Sequence, residues 1–359
     1  MSRHFPDFFT TRGPIPVTVK PLKFGNRTYY QTTLALDEES HSTPHLKPYM
    51  DNDDEMLDCA DMEENYEIVL TKSGKFSTSF HVPSSLLPFI IGAKGSKLKT
   101  LQRNTNTTIK IPRMNEKGEV TIIGDTERKV ASARTQISLI VTQRKDRLRP
   151  THFISIPLTS DLIKTNLLKF QDEVLKNPPR GVTDKHFQNP VKMHLTVVVL
   201  KILDEEELIL AKKTLQNCYD EVIANILPKS TKHIVTVKGL EIMNDDPSNV
   251  NVLYGKITSE NDNLMDQLNK MSDAIVTYFC KAGLAKREYE KVKFHMTVMN
   301  SSFLEDRKAT FDATDILREY GDYYFGTSEL ERIDLCIRGT TKTDSGEIKY
   351  YDIALNITL

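Results

Sequence analysis

Two short runs in this chain repeat one arrangement: His194-Leu195-Thr196-Val197 and His295-Met296-Thr297-Val298. On a strand, residues two apart point to the same face. Each run therefore offers one imidazole and one hydroxyl to a common side. A single His on an apolar strand is usually a packed structural residue, but two in matching contexts favour chemistry. Brought together by pseudo-twofold symmetry, the four groups suit attack on a phosphodiester. One neutral His accepts a proton from the attacking water or hydroxyl, and the other, as imidazolium, protonates the leaving oxygen. An ordinary imidazole pKa of about 6.5 keeps both forms accessible. Thr196 and Thr297 donate to the non-bridging oxygens as charge develops. Which His is acid and which is base is open. No metal or cofactor is required, and a metal reading of His194 and His295 lacks a carboxylate or Cys set at fixed spacing.

A second candidate site is Gly92-Ala93-Lys94-Gly95 within FIIGAKGSKLKTL. Two glycines three apart let backbone pass close to a phosphate without a Cβ in the way. The helix expected to follow aims its free N–H groups and dipole at that phosphate. Lys94 and Lys97 add charge at the same point. Glycine spacing alone is weak and is usually a simple turn; the surrounding element order gives it weight.

The elements that position these residues are legible in outline. KFSTSFHVP reads as a strand ended by Pro83, and SLLPFII as a short helix stopped by Gly92. SKLKTLQRNT is a helix that Ser96 could cap, TTIKIPR and EVTIIG are strands, and Asp125 is expected to cap a long helix carrying Val130, Ala133, Ile137 and Ile140. After Pro150, THFISIPL is a strand, DLIKTNLLKFQDEVLK an amphipathic helix and NPPRGVTDKHFQNP a loop with a solvent-exposed His186. The strand of the first His motif follows, then the long helix EEELILAKKTLQNCYDEVIANIL. The theme recurs: strands at KHIVTVKGLEIM and NVNVLYGKI, a helix at NDNLMDQLNKMSDAIVTYFCKAGL, and the strand of the second His motif. Strands are expected near ELERIDLCIRG and IKYYDIALNITL. The duplicated signature in matching contexts predicts two similar lobes. For Tyr254, Tyr289 and Phe294, core packing is the simpler reading than stacking on a base. Lys192 and Lys293, each two residues before a His, either extend a positive groove or are solvated.

Charge falls in blocks. Residues 37–67 hold 12 Asp+Glu against one Lys, whereas residues 86–149 hold 14 Lys+Arg against 5 Asp+Glu. The basic block is an electrostatic footprint for phosphates or a solvated helix face. The acidic block reads as a flexible linker that could fold back on the basic one, and residues 1–50 as an extended arm. No run of 18 apolar residues exists, so no membrane span or membrane partner is expected. MSRHFPDFFTTRGP has no secretory apolar region. The four cysteines lack CxxC or finger spacing, which argues for a reducing compartment.

Residues 75–145 resemble a type I KH domain (β-α-α-β-β-α), whose GXXG loop clamps about four nucleotides of single-stranded nucleic acid. Carried over, Gly92, Ala93, Lys94 and Gly95 hold the backbone with Lys97 beside them. Ile91, Leu98 and Ile109 line the groove or belong to the core. The two His motifs resemble the two-histidine (2H) phosphoesterase superfamily. That resemblance implies a bilobal, LigT-like α+β fold, two antiparallel sheets facing a cleft with helices outside. It implies opening or forming of 2′,3′-cyclic phosphates or trimming of RNA ends. His194 and His295 would be the acid/base pair, and Thr196 and Thr297 the phosphate-binding hydroxyls. Three segments are expected: an arm and acidic linker over 1–67, a KH domain over 68–148, and the 2H-like domain over 149–359. The combination, with HFQNPVKMHLTV, EIMNDDP and VKFHMTVMN, resembles a family of transcriptional cointegrator-complex subunits. It implies a nuclear protein beside a helicase subunit, in transcription and alkylation-damage repair, with single-stranded RNA or single-stranded DNA as ligand. Members of the superfamily that only bind nucleotides leave two other readings, a catalytically weak binding scaffold and an interaction subunit.

Overall fold

The computed structural model describes residues 66–113, 118–261, 263–287, 289–306, 309–339, 343 and 346–359, and the backbone of two earlier strands. Those strands, β1 (Thr18–Phe24) and β2 (Arg27–Thr33), form an antiparallel pair with Thr18 opposite Thr33. The sequence suggested only an extended arm there. The acidic linker and its expected fold-back lie outside the described residues.

The next unit begins with a four-stranded antiparallel sheet. Its strands are β3 (Val69–Leu70), β4 (Phe76–Phe80), β5 (Thr107–Lys110) and β6 (Val120–Gly124), in spatial order β3-β4-β6-β5. Three helices cover it: α1 (Leu87–Ile91), α2 (Ser96–Thr105) and α3 (Glu127–Asp146). Alternation in β6 sends Val120 and Ile122 inward, where they meet Ile90, Val130, Ala133 and Ile137. The caps differ from expectation. Thr126, not Asp125, caps α3 by accepting from the Lys129 N–H, and left-handed Gly95 starts α2 while Ser96 is its first residue. Thr126 takes the extended backbone that brings its oxygen to the third amide of the helix.

The larger fold contains eight strands: β7 (His152–Pro157), β8 (His194–Leu200), β9 (Ile234–Ile242), β10 (Val252–Thr258), β11 (His295–Asn300), β12 (Tyr324–Glu329), β13 (Arg332–Ile337) and β14 (Asp352–Thr358). Their spatial order is β12-β9-β10-β11-β8-β7-β13-β14, antiparallel throughout. One register pair, Met296 opposite Leu195, joins the two halves. They are thus two four-stranded lobes, β8-β7-β13-β14 and β12-β9-β10-β11, meeting at the two His strands.

Among the described residues the α-helices of this fold are α4 (Asp161–Lys176), α5 (Glu205–Cys218), α6 (Ala224–Ile226), α7 (Leu264–Lys281) and α8 (Thr314–Tyr320). A π-helical turn, Tyr219–Ile223, separates α5 from α6 inside what reads in sequence as one helix. The helical period buries Ile163, Leu167, Phe170 and Val174 of α4 and Leu264, Leu268, Met271, Ile275 and Phe279 of α7. Each fully buried side chain of this size contributes about 1.5–3 kcal/mol over its exposed state. α4 follows a strand of the first lobe yet packs on β12 of the second, and α7 follows a strand of the second lobe yet packs on β8 of the first. The lobes therefore share one continuous core. The tail differs from expectation by containing α8 and β12 ahead of β13. Among the described residues no helix is long and apolar enough to cross a membrane.

The two folds touch through charged groups at the start of α5. His81 lies 2.8 Å from Asp204 Oδ2 and 2.8 Å from Glu206 Oε2, and Lys145 at the end of α3 pairs with Glu207. Leu203 packs against the smaller core.

Candidate active site and nucleic-acid interface

His194 opens β8 and His295 opens β11. In each strand the apolar alternates are buried: Leu195 and Val197 in one, Met296 and Val298 in the other. His194, Thr196, His295 and Thr297 are half-buried on the opposite face. The Met296–Leu195 pair sets their arrangement. One step to either side of it, antiparallel register brings His194 opposite Thr297 and Thr196 opposite His295. All four groups that the sequence singled out are gathered around a single point, with the histidines on one diagonal and the threonines on the other. A β-bulge lies beside each Thr: Ser155 pairs with Thr196 next to a register shift at Ile154/Ser155, and Tyr254 pairs with Thr297 next to one at Leu253/Tyr254.

The two rings are held identically. Nδ1–H of His194 donates to the Lys192 carbonyl at 2.7 Å, and Nδ1–H of His295 to the Lys293 carbonyl at 2.8 Å. A carbonyl only accepts, so Nδ1 carries the proton and Nε2 of the neutral ring carries a lone pair. Neither Nε2 has a partner among the described residues, and neither is sealed from solvent.

Their surroundings differ. Phe153 and Tyr351 flank His194 with ring centroids at 5.2 and 5.6 Å. Burial pushes its pKa down to about 4, against the opposing carbonyl bond and with a smaller contribution from His295. His295 packs edge-on against Tyr254 at 5.2 Å, and burial holds its pKa below the usual imidazole value. Tyr254 OH donates to Glu241 at 2.5 Å, and Lys293 Nζ lies 3.3 Å from the same carboxylate. The Tyr254 hydrogen bond, then Lys293, holds the Glu241 carboxyl below its ordinary value. Lys192 and Lys293 prove to be ring partners rather than plain strand-end charges: Lys192 Nζ is 5.7 Å from the Tyr351 ring and Lys293 Nζ 4.9 Å from the Tyr254 ring.

Other candidates resolve individually. Tyr254 and Phe294 are buried, and Tyr289 is exposed. His186 is not exposed as expected but 1% accessible. Thr183 N–H donates to its Nδ1 at 3.1 Å, and its ring packs on Phe311 at 5.1 Å. That local bond meets part of its polarity and permits burial. Sequence reading missed Phe153 and Tyr351; the only signal for the latter was the aromatic pair just ahead of the last strand.

The glycine loop is one tight turn between α1 and α2. Gly92 has φ 69°, and a Cβ there would meet Lys97 Cβ at 2.6 Å, so conformation and space both demand glycine. Lys94 (φ 51°) and Gly95 (φ 75°) are also left-handed. Ala93, Lys94 and Lys97 are exposed, and Gly92 and Gly95 half-exposed, at the amino end of α2. Ile91 and Leu98 are half-buried beside the loop, whereas Ile109 belongs to the core.

Comparison with known proteins agrees with both halves. A KH-domain model matches residues 77–139, and the AKAP7 2′5′ RNA ligase-like domain model matches residues 150–359. The chain belongs to the AKAP7 2′5′ RNA ligase-like family and carries a KH nucleic-acid-binding module ahead of its 2H phosphoesterase-like domain. Among curated relatives it is homologous to activating signal cointegrator 1 complex subunit 1 of Mus musculus, 33% identical over 296 residues, 77% of this chain and 82% of that protein. Solved structures with partial likeness include the first type I KH domain of human Vigilin (28% identity, 25% of this chain and 96% of that one, TM-score 0.21). Another is a phosphoesterase (11% identity, 59% of this chain and 99% of that one, TM-score 0.36).

Proposed function

We propose that this protein is a phosphodiesterase acting on RNA ends or 2′,3′-cyclic phosphates without a metal, with the KH module presenting a single strand. The observation that carries the reading is the mirrored pair of imidazoles, each held by Nδ1 with Nε2 unpartnered, each beside its own Thr hydroxyl. A phosphate seated among them would meet a proton acceptor and a proton donor on opposite sides. Thr196 and Thr297 would donate to its non-bridging oxygens. In the cell we place it in the nucleus, beside a helicase subunit of a cointegrator complex, in transcription and alkylation-damage repair. Homology to a cointegrator-complex subunit supports membership of such a complex, the part of that placement the relative's name carries.

We assign the roles from the asymmetry of the rings. His194, with its pKa down near 4, is neutral at physiological pH and serves as the base. His295, also lowered but flanked by one aromatic ring, serves as the acid. The signs follow: kcat/KM should rise through about pH 4 as His194 loses its proton, then fall as pH rises through the His295 pKa, below the ordinary value of about 6.5. A mildly acidic optimum is the expected profile, and a rate that climbs steadily to pH 8 would contradict it.

The test is direct. Pure protein incubated in EDTA with short labelled RNAs, with and without a 2′,3′-cyclic end, should give product from the cyclic-ended RNA. Binding without product in any condition would replace the enzyme with a nucleotide-binding scaffold.

A further inference from the structure

The face of the first lobe that bears His194 carries a charged pair that the chemistry above leaves unused. Register fixes which side chains share that face. Thr196 pairs with Ser155, and Ser155 with Asp334 on β13. His194 pairs with Pro157, and the β7–β13 register carried two residues further brings Arg332 opposite Pro157. Side chains of directly opposed residues stand on the same side of a sheet. Arg332 and Asp334 therefore share the face of His194 and Thr196, two strands away, about 10 Å at ordinary strand spacing. Their neighbours of opposite parity, Ile333 and Leu335, are buried in the core on the helix-covered side.

Asp334 is fully buried, while the Arg332 side chain keeps 32% of its surface. Arg332 Nε donates to both Asp334 oxygens at 3.0 Å. A guanidinium usually meets a carboxylate with two nitrogens in parallel. Here one N–H serves both oxygens, and the terminal Nη1 and Nη2 have no acceptor among the described residues and are not closed off from solvent. A carboxylate withdrawn from water costs free energy even when paired. What the pair gives in return is orientation: a planar fork fixed at its inner nitrogen, with its outer donors open, the geometry that suits a phosphate.

We propose that Arg332, aimed by Asp334, is a second phosphate-binding group of the cleft and takes the phosphate next to the one at the histidines. The ligand then carries two phosphates, either a bisphosphorylated nucleotide or consecutive phosphates of an RNA strand. This rests on the reading of the paired histidines as the first phosphate site.

Calorimetric titration of the full chain tests it with three probes: adenosine 5′-monophosphate, adenosine 3′,5′-bisphosphate and the dinucleotide pApA. At least one two-phosphate probe should bind about tenfold more tightly than the monophosphate. Preference for pApA assigns the second phosphate to an RNA strand, and preference for the bisphosphate to a mononucleotide. Arg332→Ala should collapse that ratio. Arg332→Lys keeps a cation beside Asp334 but loses the fork; it should remove most of the ratio and carries the test if the Ala variant does not fold. Equal weakening of all three probes in the variants, or no preference in the wild type, overturns the proposal alone. Failure of the wild type to bind even the monophosphate overturns it together with the histidine reading.

Discussion

His194→Ala should lower kcat on a cyclic phosphodiester by about 10²–10⁴-fold, and His295→Ala by a similar factor, the range for loss of a positioned acid or base. Neither methyl can move a proton, and among the described residues no other imidazole is placed beside the Thr pair. KM should change less, because Thr196 and Thr297 remain to hold the phosphate. The double variant should lose little beyond either single one, since the two groups act on one transition state and their effects do not add. Both side chains are half-buried on the face opposite the core, so the core seam through Leu195 and Met296 is untouched and the variants should melt close to wild type. The pH profiles separate the roles. Removing His194 should flatten the ascending limb and removing His295 the descending one. Full turnover in either variant would end the acid/base reading.

Replacing Ala93 and Lys94 together by Asp should weaken single-stranded RNA binding by at least about 100-fold. The change removes one cation from the loop and sets two carboxylates against the backbone phosphates. The fold should survive. Both residues are exposed, and Asp is among the few residues that tolerate the left-handed conformation Lys94 holds. Anisotropy titrations at two salt concentrations check the cause as well as the size. The slope of log affinity against log salt should shallow by about 0.7 for each phosphate that the loop no longer neutralises. Circular dichroism should be unchanged. Undiminished affinity in a folded variant would show that the strand is gripped elsewhere.

Local patterns carried most of this architecture. Helix α4 is the stretch Asp161–Lys176 that its period marks, and the His strands alternate as their apolar residues require. The four polar groups of the His-Thr face were legible because they lie two apart within strands, a relation that needs no tertiary knowledge. What escaped was set by long-range pairing. Arg332, Asp334 and Tyr351 reach the face of His194 because β13 pairs with β7, and no local period records which distant strand completes a sheet. His186 reads as a loop residue, and only the packing of Phe311 and the Thr183 amide explains its burial. Asp125 reads as the cap of α3, yet the next residue serves, because Thr126 holds the extended backbone at which the helix starts.

Chain order and spatial order part company in the first lobe. Its inner strands, β7 and β8, are made early, whereas β13 and β14 come after the whole second lobe. During synthesis the hydrogen-bonding edge of β7 must wait at the ribosome exit, unzipped, until residues through Ile337 have emerged. A premature stop after Val298 would leave both His-Thr signatures in the truncated product. It would still lack Tyr351, Arg332 and the strands that complete the two lobes, so transcripts cut in this interval should encode a polypeptide with the right words and an unfinished sheet.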